Sequence, residues 1–318
     1  MNRLAVITGF LGTARNRYMD YQPDRTIDEK LALAARIENL DGLELCYPGD
    51  FEEYSKLRSL LAASGLGVSA VNFRSRRKGR WLRGSFSSND ARERQEVVED
   101  CWRAIDYARD LGCNRVTTCP LNDGYDYPFE LDYAEAYGFA QESFARCCEH
   151  DPQVQVHIEY KLNEPRVRCL FATAGETLSF CQESGITNLG VTMDTGHALV
   201  AGERPAQAVC MVARAKRPLY VHINDNDRSW DWDMIPGAYH LWEFVELFYY
   251  LRKVGYVDDW YAFDVFPKEI DTAETFSVAL DATRKLESIA GRLGEEEVQN
   301  LLRRRNPAET MSYLFSLL

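Results

Sequence analysis

Short apolar and β-branched runs alternate along this chain with longer segments whose apolar positions recur at helical spacing, and the alternation repeats about eight times. The runs AVITGF (5–10), GLELCYP (42–48), GVSAVNF (67–73), NRVTTCP (114–120), VQVHIEYK (154–161), NLGVTMD (188–194), PLYVHIN (218–224) and DWYAFDV (259–265) read as strands. Between them lie helical patterns. Thr26 and Glu29 have capping-box spacing ahead of Leu33, Ile37 and Leu40, and 51–64 and 131–149 also read as helices. The long segment 90–111 carries Val97, Val98, Trp102, Ile105 and Ala108 on one face. Strands alternating with helices imply a parallel sheet.

Eight such units, with no dinucleotide-binding glycine fingerprint after the first strand, predict an α/β fold of the closed (β/α)8 TIM barrel type rather than a doubly wound sheet. No linker rich in proline, glycine or serine interrupts it, so residues 1–293 are expected to form one domain. The remaining GEEEVQNLLRRRNPAETMSYLFSLL (294–318) is expected to be a helical extension, packed on the barrel wall or used as an oligomer contact. The 318 residues suit a single barrel, and 46% hydrophobic content supplies a core. A net charge of -12 opposes non-specific binding to nucleic acid or anionic membranes. No apolar run is long enough to span a bilayer, and the opening MNRLAVITGFLGTARNR is too broken for a signal peptide. Nine cysteines without a CxxC pair read as reduced thiols, so the expected location is cytoplasmic.

Barrel active sites lie at the C-terminal ends of the strands, and polar residues concentrate there. In the fifth strand His157, Glu159 and Lys161 share one face. The sixth ends in Asp194 with His197 beyond it, the seventh in His222, Asn224 and Asp225, and the eighth in Asp264. His157 lies deeper than Glu159 and is expected to be a hydrogen-bonded interior residue. His150, His240, Asp225 and Asp227 have ordinary readings as helix-end, rim or turn residues. The convergence of Glu159, Asp194, His222 and Asp264 does not: several carboxylates brought close together repel one another unless a cation neutralises them. A divalent ion with oxygen-rich ligation, Mn2+ before Mg2+ or Co2+, is the expected cofactor, one or two per chain.

These motifs resemble the xylose isomerase family of barrels, including its rhamnose isomerase branch. IEYKLNEPR (158–166), DTGH (194–197) and HINDNDRSWDWDMIPG (222–237) carry the resemblance, which is specific over residues 154–266. It implies a first metal site of Glu159, Asp194, His222 and Asp264, and a second of Asp194, His197, Asp231 and Asp233. It further implies Lys161 at the substrate's carbonyl end, Asp231 as a proton acceptor, and Glu164 and Asn224 facing the substrate. The activity implied is aldose–ketose isomerisation of a rare, branched or deoxy sugar by a metal-assisted hydride shift. The alternatives are a single-metal keto-sugar 3-epimerase, with Glu159 and Asp264 as bases on opposite faces of the sugar, and a lyase or decarboxylase acting on a sugar acid. RSRRKGRWLR (74–83) has six basic residues in ten. It reads either as a solvated loop or as a clamp for an anionic substrate, with Arg74 binding it and Trp81 covering it. The DNA-repair endonucleases of the same superfamily need more histidines and a basic face. A small-molecule sugar or sugar acid is thus the expected partner, with a homodimer or homotetramer as the expected assembly.

Overall fold

The computed structural model describes all of residues 1–318 except Arg17 and Pro165, so one residue of the N-terminal stretch and the proline of the IEYKLNEPR motif lie outside the described residues. Eight parallel strands close the expected barrel in chain order: β1 (Arg3–Ile7), β2 (Gly42–Tyr47), β3 (Gly67–Phe73), β4 (Arg115–Thr118), β5 (Gln155–Glu159), β6 (Leu189–Asp194), β7 (Leu219–Ile223) and β8 (Trp260–Phe263). β1 pairs with both β2 and β8 and so removes any sheet edge. Around the barrel run α1 (Ile27–Ala34), α2 (Tyr54–Ser64), α3 (Ala91–Asp110), α4 (Tyr133–His150), α5 (Ala174–Glu183), the short α6 (Thr195–Val200), α7 (Pro205–Arg214), α8 (Leu241–Lys253) and α9 (Thr272–Gly291). Thr26 and Glu29 close their capping box on α1. β5 ends two residues before the apolar pattern does, because the Lys161 N–H leaves the sheet to bond the carbonyl of Phe171.

The period-two alternation of the strands sorts two cores. Outward residues such as Val6, Leu45, Val71, Val156, Val191 and Val221 join the main hydrophobic core. The interior keeps only a small apolar cluster, including Ala5, Ile7, Ala70 and Ala262. The rest is polar. At the floor Arg115 meets Asp259 at 3.1 Å and lies over the Tyr220 ring at 4.2 Å from its centroid. Tyr220 donates to Glu44 Oε2 at 3.0 Å, and His157, fully buried, donates to Gln155 Oε1 at 3.1 Å. Gly42 and Gly67 sit where a Cβ would meet the Trp260 ring at 2.6 Å and 2.9 Å.

The C-terminal segment is two helices, α10 (Glu295–Arg304) and α11 (Pro307–Phe315). Arg305, at φ 50°, ends the first, and Asn306 caps the second. Tyr313, Leu314 and Leu317 pack against the main core, and Phe315 meets Trp242 of α8 edge-on at 5.4 Å. Among the described residues no helix is long and apolar enough to cross a membrane. None of the nine cysteines is in a disulfide.

Candidate functional site

The mouth of the barrel collects its polar groups from seven strands, β2 to β8. Glu159, Asp194, His222 and Asp264 each offer a ligand atom, and these atoms all lie within 4.8 Å of one another. Glu159, Asp194 and His222 are buried, and Asp264 is half-buried with its Oδ1 lacking any hydrogen-bond partner among the described residues. His222 holds its ring between two carboxylates: Nε2 donates to Glu44 Oε2 at 3.0 Å, and Nδ1 faces Glu159 Oε1 at 3.3 Å. Glu44 in turn accepts from Asn72 Nδ2 and Thr117 Oγ1, both at 2.7 Å. Burial opposes its ionisation, but His222 and these donors outweigh it and hold the carboxyl below its ordinary range. Glu44 thereby fixes the tautomer that leaves Nδ1 free for an ion.

Asp194 is held twice. One oxygen caps α6 by accepting the His197 N–H at 2.8 Å, and the other accepts Asn224 Nδ2 at 2.8 Å. Gly196 makes this possible, because a Cβ there would collide with Asn224 Oδ1 and come within 2.7 Å of Asp231 Oδ1. The loop after β7 then returns over the site. Asp225, fully buried, accepts the backbone N–H groups of Tyr239 and His240 and the His240 ring. Its backbone also pairs with Met234. That closure carries Asp231 onto His197 Nε2 at 3.1 Å and Lys161 Nζ at 2.8 Å, with Lys161 also on Glu164 at 2.7 Å.

The charges agree with a cation in the first group. Burial, with Asp194 and Glu159 alongside, pushes the Asp264 carboxyl up to about 8. Burial would also raise Glu159, but His222, His197 and Arg74 hold it at about 2. Carboxylates in this mutual strain, with one orphaned oxygen and an oriented imidazole nitrogen, fit a divalent ion. Asp231 is compensated already: burial opposes its charge, yet His197 and Lys161 draw it well below the usual range.

Asp194, His197 and Asp231 form a second close group, which Asp233 does not join. The four-residue second site implied by the resemblance is therefore not assembled as a set. Asp233 sits at φ 50° with its backbone carbonyl accepting the Phe266 N–H, and its carboxyl is driven up by burial and by Asp231 and Asp264. Trp81 also requires correction. Its side chain is 2% exposed, packed in the main core with Arg77 and Arg80 against its ring, so it offers no face to a sugar. Two of the loop's six basic residues are spent on α3, where Arg77 pairs with Asp100 and Arg80 with Glu96, each at 2.8 Å. Arg74 turns inward instead, donating to Cys46 Sγ at 3.3 Å beside Asp264 and Glu159. Trp232 is half-exposed and donates to Asp227. Sequence reasoning missed Glu44; its only signal was a lone acid on an inward position of GLELCYP.

Comparison with known proteins places the fold. An L-ribulose 3-epimerase of Mesorhizobium japonicum (strain LMG 29417 / CECT 9101 / MAFF 303099) is 25% identical over 244 residues, 76% of each chain. A solved structure of an L-ribulose 3-epimerase superimposes with a TM-score of 0.69 at 22% identity, covering 92% of this chain and 96% of its own. A 3-keto-D-glucoside 4-epimerase from E. coli also gives 0.69, at 16% identity, over 90% of this chain and 100% of its own. The family described as xylose isomerase-like TIM barrel matches residues 31–286. With its closed barrel and its polar mouth, this chain belongs to the xylose isomerase-like TIM barrel family.

Proposed function

We propose that the protein is a divalent-metal-dependent epimerase acting at carbon 3 of a keto-sugar, with one Mn2+ held by Glu159, Asp194, His222 and Asp264. The observation that carries this reading is the difference between the two groups. Among the described residues no lysine or arginine ion pair reaches the three carboxylates of the first group, whereas in the second Asp231 Oδ2 is already shared by Lys161 at 2.8 Å and His197 at 3.1 Å. The relatives named above, epimerases of keto-sugars by name, support the same choice over aldose–ketose isomerisation.

The bound ion would polarise the sugar's carbonyl and neighbouring hydroxyl oxygens and so acidify the hydrogen on carbon 3. Glu159 and Asp264 approach from different strands, and each serves one face of the sugar. One carboxylate takes the carbon-3 proton, and the other, as the acid, returns a proton to the opposite face. Lys161, fixed by Asp231 and Glu164, holds a sugar oxygen in register, and the buried surroundings keep bulk water from the exposed carbanion.

The test is incubation of the Mn2+-loaded protein with L-ribulose, D-allulose and D-tagatose in deuterated water. Carbon-3 epimers carrying one solvent deuterium at carbon 3 are expected. An aldose product without solvent deuterium at the transferred hydrogen would instead establish hydride-shift isomerisation, favoured then by the Asp194, His197 and Asp231 group.

A further inference from the structure

We infer that Cys119, Glu159 and His197 form a second cation position at the barrel mouth, distinct from the oxygen-rich group and suited to a thiophilic d10 ion such as Zn2+ or Cd2+. Their ligand atoms lie within 4.8 Å of one another. His197 Nδ1 and Glu159 Oε1 are 3.5 Å apart, close to the ~3.4 Å between two donors held at about 2.0–2.2 Å on a tetrahedral ion.

An independent feature of His197 points the same way. Its side chain is 5% exposed, its Nε2 is committed to Asp231 at 3.1 Å, and its Nδ1 has no hydrogen-bond partner among the described residues. This repeats the arrangement of His222, where Glu44 takes Nε2 and Nδ1 faces the same Glu159 oxygen. Both histidines thus present Nδ1 to Glu159 Oε1 while an acid holds Nε2, which sets each to ligate through Nδ1. On the His222 side the remaining donors are carboxylates, which suit a hard ion. On the His197 side the group adds the Cys119 thiol, just beyond β4, which selects a soft one. Binding releases the thiol proton to solvent and leaves a thiolate, an imidazole and a shared carboxylate around the ion, with the fourth position open.

This inference does not depend on the epimerase reading, because its test is spectroscopic. Cd2+ would be titrated into Mn2+-loaded protein in a Cys210→Ser background, which removes the other half-buried thiol. One additional ion per chain and an ultraviolet thiolate-to-cadmium charge-transfer band are expected, both lost on Cys119→Ser while one Mn2+ per chain remains. A band that persists in Cys119→Ser, or no band in the parent, overturns the assignment. Should Cys119→Ser fail to fold, zinc-edge X-ray absorption of the protein with Cys119 intact decides. One sulfur at about 2.3 Å supports the site, and a shell of nitrogen and oxygen alone refutes it.

Discussion

Glu44 Oε2 and His222 Nε2 lie 3.0 Å apart, both side chains fully buried, and this contact decides which nitrogen of the imidazole faces the carboxylates of the mouth. Replacing Glu44 by Gln keeps the shape but lets the ring lose its fixed tautomer. Mn2+ affinity should fall about 10–100-fold with the barrel still folded, as read by calorimetric titration. Glu44→Leu should be worse, because Asn72, Thr117, Tyr220 and His222 all lose their acceptor, at about 1–3 kcal/mol for each buried group left unpaired. Equal metal affinity in Glu44→Gln and wild type would remove Glu44 from the centre.

Gly196→Ala places a methyl group into Asn224 and near Asp231. Relief of that overlap must displace the partner of Asp194 or the acid above His197. A cost of about 1–3 kcal/mol in stability is expected, seen as a lower Tm, together with weakened Mn2+ binding. A variant with wild-type Tm and affinity would show that the loop after β7 yields freely.

Lys161→Met leaves Asp231 with His197 as its one cationic partner among the described residues and removes the donor proposed for a sugar oxygen. Turnover should drop about 10²–10³-fold while the metal content stays at one ion per chain. Near-normal turnover would refute the role given to Lys161, and loss of the ion would show that it instead balances the charge of the centre.

Removing the metal tests the first group without any substitution. Chelation should abolish turnover and lower Tm, and Mn2+ at a hundred times its dissociation constant should restore about 2.7 kcal/mol of stability. The physical reason is the repulsion among Glu159, Asp194 and Asp264, which the ion relieves. A Tm indifferent to Mn2+ would mean that these carboxylates do not hold it.

The barrel was legible in the chain because each strand is short, apolar and followed by a helical pattern, and β3 matched its apolar run residue for residue. The four residues grouped around His222 were legible for a related reason: strand ends have a known address in this fold. Asp233 and Trp81 were not. Asp233 follows a loop whose path depends on the buried Asp225 and on a left-handed backbone, neither of which spacing reveals. Trp81 lies in a loop that reads as exposed because it is basic, yet α3 supplies Asp100 and Glu96 to neutralise that charge and the ring is buried. Glu44 belongs to the half of the chain without a recognisable motif, and its importance appears only once β2 and β7 face each other across the interior.

The polar column from Asp259 through Arg115, Tyr220 and Glu44 to His222 joins the floor of the barrel to its mouth. Apart from the loop after β7, which carries Asp231, the loops above the sheet are accordingly free to diversify and so to change which substrate is admitted, without retuning the ligands beneath them. The reverse holds for the interior. Arg115→Leu, a lesion at the opposite end of the barrel from the ion, should register first as poor metal retention, so that in this protein inherited damage to the foundation would be mistaken for a defect of the active site.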